Sequence, residues 1–195
     1  MKKFTIACLL LFTALQNVSF CQTLSNDSKK VLAAYEVLEK RPNLKRAQLS
    51  YLQAFPGDKS RFLAVFDPEN FGQLYSRSDK FIAAFAGLAN TFPAEVINKS
   101  INIGKDMTWQ ADATGYLQHA IVQMGNEHTN IFVRKVNALP AQQRNNLAKF
   151  LADAENHKAY PEYQALIDAL NRIYQTKLAA LFVKARAERE KIKHD

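Results

Sequence analysis

Residues 161–182 read PEYQALIDALNRIYQTKLAALF, and this stretch decides the fold. Its apolar side chains are Tyr163, Leu166, Ile167, Leu170, Ile173, Tyr174, Leu178, Leu181 and Phe182. They recur at steps of three and four residues. An α-helix turns once every 3.6 residues, so such steps stack on one face. A strand needs alternation with period two, and no segment of the chain sustains it. Pro161 suits the first helical turn, where its missing N–H costs nothing. The spacing therefore predicts the longest helix of the chain, beginning at Pro161. Its apolar stripe fades near Ala185, so a projecting, frayed end is expected from there to the terminus.

Working back toward the N-terminus, the same period recurs. Pro140 opens a helix carrying Leu147, Phe150 and Leu151. Before it, Trp109, Ala113, Leu117, Ala120, Ile121, Met124, Ile131, Phe132 and Val136 form one stripe. That stripe predicts a single long helix capped by Asp106 or Thr108. Pro93 opens a helix through Val96, Ile97 and Ile101 that Gly104 stops, and Asp79 to Ala89 is another. A short helix holds Phe62, Leu63 and Phe66. It ends at Asp67-Pro68, because the residue before proline avoids the α region. Pro42 suits the first turn of a helix through Leu52 and Phe55, and a first helix runs from about Asp27 to Lys40. No linker rich in glycine, serine or proline divides the chain. The expectation is an all-α fold: a single-domain bundle of seven to eight helices over 22–195, with a long C-terminal helix and no sheet.

An apolar residue followed by proline recurs at Phe55-Pro56, Phe92-Pro93 and Leu139-Pro140. The intervals differ, whereas a solenoid holds its period. Shared helix-start chemistry explains the echo: proline near N1, with an apolar residue before it packing as a staple.

Residues 1–21 read as a signal peptide. Lys2 and Lys3 precede an apolar run from Phe4 to Leu15. The run is shorter than the roughly 20 residues a membrane span needs, and it fits a signal-peptide core. Ser19 and Cys21 suit cleavage before Gln22. The alternative is lipidation at Cys21, although Phe20 stands where a lipoprotein box wants a small residue. The first reading gives an exported, periplasmic or secreted protein; the second gives a lipoprotein tethered to a membrane. Cys8 and Cys21 are the only cysteines, so the chain from Gln22 onward has no disulfide and relies on its core. No later stretch is long and apolar enough to span a bilayer.

The full chain carries a net charge of +8, and about +6 without Lys2 and Lys3. Basic residues gather at Lys40, Arg41, Lys45 and Arg46, and again from Lys184 to Lys193. The tail alternates cations with Glu188 and Glu190, as a solvated helix end does. There is no nucleic-acid-binding motif.

Candidate chemistry centres on Asp112, His119 and His128. Asp112, Tyr116, His119 and Gln123 fall on one helical face. A carboxylate and an imidazole can hold a metal or act as acid and base. Asp112 and His119 are nevertheless two turns apart, about 10.5 Å, too far to share one ion unaided. His128 lies four residues after Met124 on the apolar stripe, a spacing that can ligate a metal or haem. A partly buried, hydrogen-bonded histidine is the commoner arrangement. Asp153 and His157 form a third i, i+4 pair near a helix end. There is no HExxH, CxxCH, P-loop, dinucleotide fingerprint or GxSxG elbow. The sequence nominates no catalytic residue and no cofactor.

Seven of the thirteen phenylalanines lie between Phe55 and Phe92. Phe62, Phe66, Phe71, Phe81 and Phe85 can line an apolar groove for a partner helix, a lipid tail or an unfolded client. They can equally form the core of a helical hairpin.

Leu139-Pro140-Ala141-Gln142-Gln143-Arg144 resembles an element of Spy/CpxP-type periplasmic chaperones, with Pro140 in place of the threonine of that pattern. Ala54 to Phe66, Gln73-Leu74-Tyr75 and Trp109 to Asp112 are similar to stretches of uncharacterised exported all-helical bacterial proteins. The first resemblance implies client binding; the second implies no activity. The leading expectation is an exported, non-enzymatic helical protein that binds a protein or another envelope component. The alternatives are a chaperone-like or lipid-binding groove at Phe55–Phe92, and a metal-binding protein or hydrolase centred on Asp112, His119 and His128.

Overall fold

The computed structural model describes residues 24–67, 74–108, 112–153 and 160–191. Residues 1–21, with Cys8 and Cys21, lie outside these, as do Phe71, Trp109 and His157. The described residues form an all-α bundle without strands. Its helices are α1 (Asn26–Lys40), α2 (Lys45–Ala54), α3 (Lys59–Phe66), α4 (Ser78–Gly87), α5 (Pro93–Gly104), α6 (Ala113–Glu127), α7 (Thr129–Asn137), α8 (Ala141–Ala152), α9 (Pro161–Arg172) and α10 (Thr176–Glu190). Short 3₁₀ turns precede and follow α4.

Several ends follow from local chemistry. The Ser25 hydroxyl accepts from the Ser28 N–H at the start of α1, and Asp58 accepts from the Arg61 N–H at the start of α3. Pro93 and Pro161 occupy the first turns of α5 and α9. Pro42 does not open α2, which begins at Lys45 after a turn. The Lys99 ammonium of α5 donates to the carbonyls of Leu52 and Phe55, each at 2.7 Å. A cation thus sits where the carbonyls at the end of α2 lack helical partners.

Two expected helices are divided. The stripe from Ala113 to Val136 is cut at His128, whose backbone (φ −127°, ψ 45°) ends α6 and begins α7. The cap of α6 is Asp112, not Asp106 or Thr108. The segment from Pro161 is cut between Arg172 and Thr176, where Tyr174 takes a left-handed φ of 60°. These breaks raise the helix number from the expected seven or eight to ten among the described residues. The frayed end is also corrected. Ala185 and Arg189 are buried, Arg189 pairs with Asp153, and Lys149 meets Glu188 at 3.1 Å. The last helix therefore docks through Arg189.

One hydrophobic core runs through the bundle. At its N-terminal end Phe55, Phe62, Phe66, Phe81 and Phe85 are all but fully buried. Phe55 stacks on Phe85 with centroids 3.9 Å apart, and Phe66 packs between Phe55 and Phe81. Two buried tyrosines tie this core together. Tyr51 donates its hydroxyl to the Phe81 carbonyl, and Tyr163 donates to the Phe182 carbonyl. Burial pushes both phenols well above the ordinary tyrosine range.

Candidate functional site

A cleft of about 630 Å³ lies between α4 and α6. Of the large apolar residues of α4, only Ile82 lines it. Phe81 and Phe85 turn into the core, leaving Ala83, Ala86 and Gly87 toward α6. Small side chains on α4 meet Ala120 and Met124 of α6, and the space between the helices stays unfilled. The rim carries both signs of charge: Asp79 and Lys80 from α4, Glu127 from α6. Tyr116, His119 and Gln123 complete the α6 side.

The sequence thus placed Tyr116, His119 and Gln123 together correctly, though without revealing the helix opposite them. His119 is exposed and meets Tyr160 edge-on, with ring centroids 4.8 Å apart. Tyr160 is buried, and that burial raises its phenol above the usual range.

Asp112 stands apart, at the N-terminus of α6. Its φ of 59° with ψ of −115° is a conformation L-residues rarely adopt. The Tyr75 hydroxyl donates to its carboxylate, and that bond raises the Tyr75 phenol above its ordinary value. His128 stands at the other end. Because α6 stops there, Met124 and His128 do not continue along one helix. His128 is half-buried, and its Nε2 has no hydrogen-bond partner among the described residues.

The structure therefore spreads Asp112, His119 and His128 over three places. Along α6 they are separated by about 10.5 Å and 13.5 Å. Among the described residues, no three potential metal ligands come together. Asp153 is committed to Arg189.

The phenylalanine groove is closed. Phe62, Phe66, Phe81 and Phe85 are at most 1% exposed, and they fill one another's space. Among the described residues, no helix is long and apolar enough to cross a membrane. The chain matches no protein-family model, no curated protein and no solved structure.

Sequence reasoning missed the floor of the cleft. Ala83, Ala86 and Gly87 carry no chemistry of their own, and only the packing of α4 on α6 makes them a surface. The signal available was their position opposite Phe81 and Phe85 on the helical wheel.

Proposed function

We propose that this chain is an exported, non-enzymatic binding protein of the bacterial cell envelope, and that the α4/α6 cleft receives a segment of a partner protein. The shape and lining of the cleft carry this reading. An apolar floor of small residues admits the side chains of a peptide or helix, and a mixed-charge rim can pair with its flanking groups. A lipid tail would want a deeper and wholly apolar tunnel. The signal-peptide-like first 21 residues support an encounter outside the cytoplasm.

The test uses Gly87. A Cβ added there meets nothing within 4 Å, so a side chain can grow into the cleft without disturbing the core. A photo-crosslinking amino acid at position 119, in the full chain expressed in its native envelope, is expected to capture a discrete partner. Gly87→Phe should abolish capture while leaving the helical circular dichroism unchanged. Capture that survives a filled cleft would overturn the assignment.

A further inference from the structure

Helices α8 and α10 lie side by side and run in the same direction. Asn137, at the end of α7 just before α8, meets Gln175 just before α10; Lys149 meets Glu188 further along, and Asp153 meets Arg189 near their ends. The seam between them is not closed along its length. Two clefts of about 410 and 170 Å³ follow one another along it and share Asn145 and Leu181. Together they make a groove about 18 Å long, the length of a twelve-residue helix. It shares no lining residue with the α4/α6 cleft.

The ionisable side chains of this groove are Arg144, Lys149, Lys177 and Lys184, against one acid, Glu188. Glu188 is already held between Lys149 and Lys184. Amides fill most of the remaining wall, including Gln142, Asn145 and Gln175. Each amide carries donors and an acceptor, so it can answer a hydroxyl group, which is also both. One residue before Gln175 stands Tyr174, 89% exposed and at φ 60°. A bulky residue in that conformation is strained, and here burial does not compensate. Its flat apolar face suits the C–H face of a sugar ring.

We infer that the α8/α10 groove binds an anionic polysaccharide chain: its cations take the acidic groups, its amides take hydroxyls, and Tyr174 stacks on a ring at one end. Charge complementarity selects a polyanion. The concave shape selects a single extended chain over a flat bilayer surface. The amide lining selects a hydroxyl-rich chain over an acidic peptide.

Calorimetric titration of the full chain with polygalacturonate oligomers tests this. Neutral dextran of equal length, polyglutamate, and vesicles of phosphatidylglycerol with phosphatidylcholine run beside it. The expected result is saturable binding to polygalacturonate that weakens with added salt, and none to dextran. The quadruple variant R144Q/K149Q/K177Q/K184Q should lose about tenfold or more in affinity, and Lys177→Glu alone a smaller part of that. Tyr174→Gly should also weaken binding. A control with four exposed cations removed elsewhere (K29Q/K40Q/R41Q/R46Q) has the same net charge and should bind as the parent does. Circular dichroism verifies that each variant folds. The inference is overturned if polygalacturonate does not bind, or if the control loses as much affinity as the groove variant. Binding of polyglutamate or of the vesicles as tightly as polygalacturonate would overturn it equally.

Discussion

Two faces of α4 meet two kinds of neighbour. On one face Phe81 and Phe85 enter a cluster of buried rings. On the other, Ala83, Ala86 and Gly87 face Ala120 across an open cleft. Both contacts are helix against helix, and both involve apolar side chains. Side-chain size contributes to the difference: Ala83, Ala86 and Gly87 leave room between the helices, beside Ile82 and Met124, that rings take up on the closed side.

The comparison breaks most easily at its closed side. Phe85→Ala removes a ring stacked at 3.9 Å on Phe55 and should cost about 3–5 kcal/mol, read as a lower urea midpoint. A loss under about 1 kcal/mol would mean that the rings are loosely packed and that the closed description is wrong. Gly104→Ala probes another closed site, where an added Cβ would stand 3.0–3.3 Å from Ile121, Leu147 and Phe150. It is expected to destabilise by roughly 1–3 kcal/mol. Gly87→Ala is the same change at the open side, with nothing within 4 Å. There it should stabilise the fold by about 0.4–1 kcal/mol, through a less flexible unfolded chain and better helix propensity. Opposite signs for the two glycines would sharpen the contrast, and equal signs would remove it.

The smallest effect lies at the surface. Arg61 of α3 forks onto both carboxylate oxygens of Asp27 in α1, with two contacts of 2.9 Å. The hydrogen bonds from Arg61 hold the Asp27 carboxyl below its usual range. A carboxylate with a lowered folded-state pKa contributes stability that is present above the unfolded value near 3.8 and lost as pH falls through the lower folded value. Because the pair is solvent-exposed, Arg61→Met should cost only about 0.5 kcal/mol at neutral pH. The difference from the parent should vanish in acid, as thermal melts at pH 7 and pH 2 would show.

The sequence disclosed the helical class and most helix starts because the period of Leu166, Ile167 and Leu170, and of its counterparts, survives any tertiary context. It did not disclose the breaks at His128 and Tyr174. Neither carries a proline or glycine at the point of division, and apolar residues resume in phase on the far side. The docked end of α10 was hidden for another reason. It is fixed by Arg189 on Asp153 rather than by apolar residues, so a fading stripe looked like a fraying helix. The polar face Tyr116, His119 and Gln123 was legible as a face, but its opposing wall was not. The phenylalanine cluster was ambiguous in principle, because ring density is the same whether a pocket is filled by its own rings or by a guest.

The parallel pairing of α8 and α10 has a consequence for how the chain is made. Parallel neighbours cannot be joined by a tight turn, so α9 must cross between them before α10 can settle. A helix translated after both of them, α10, thus sets Phe182 against Phe132 and Tyr163. Until it arrives, those rings lack the cover that Phe182 gives, and a chain cut short before Thr176 leaves that side of them open. Such a fragment offers proteases and holding chaperones an apolar surface that the finished molecule conceals.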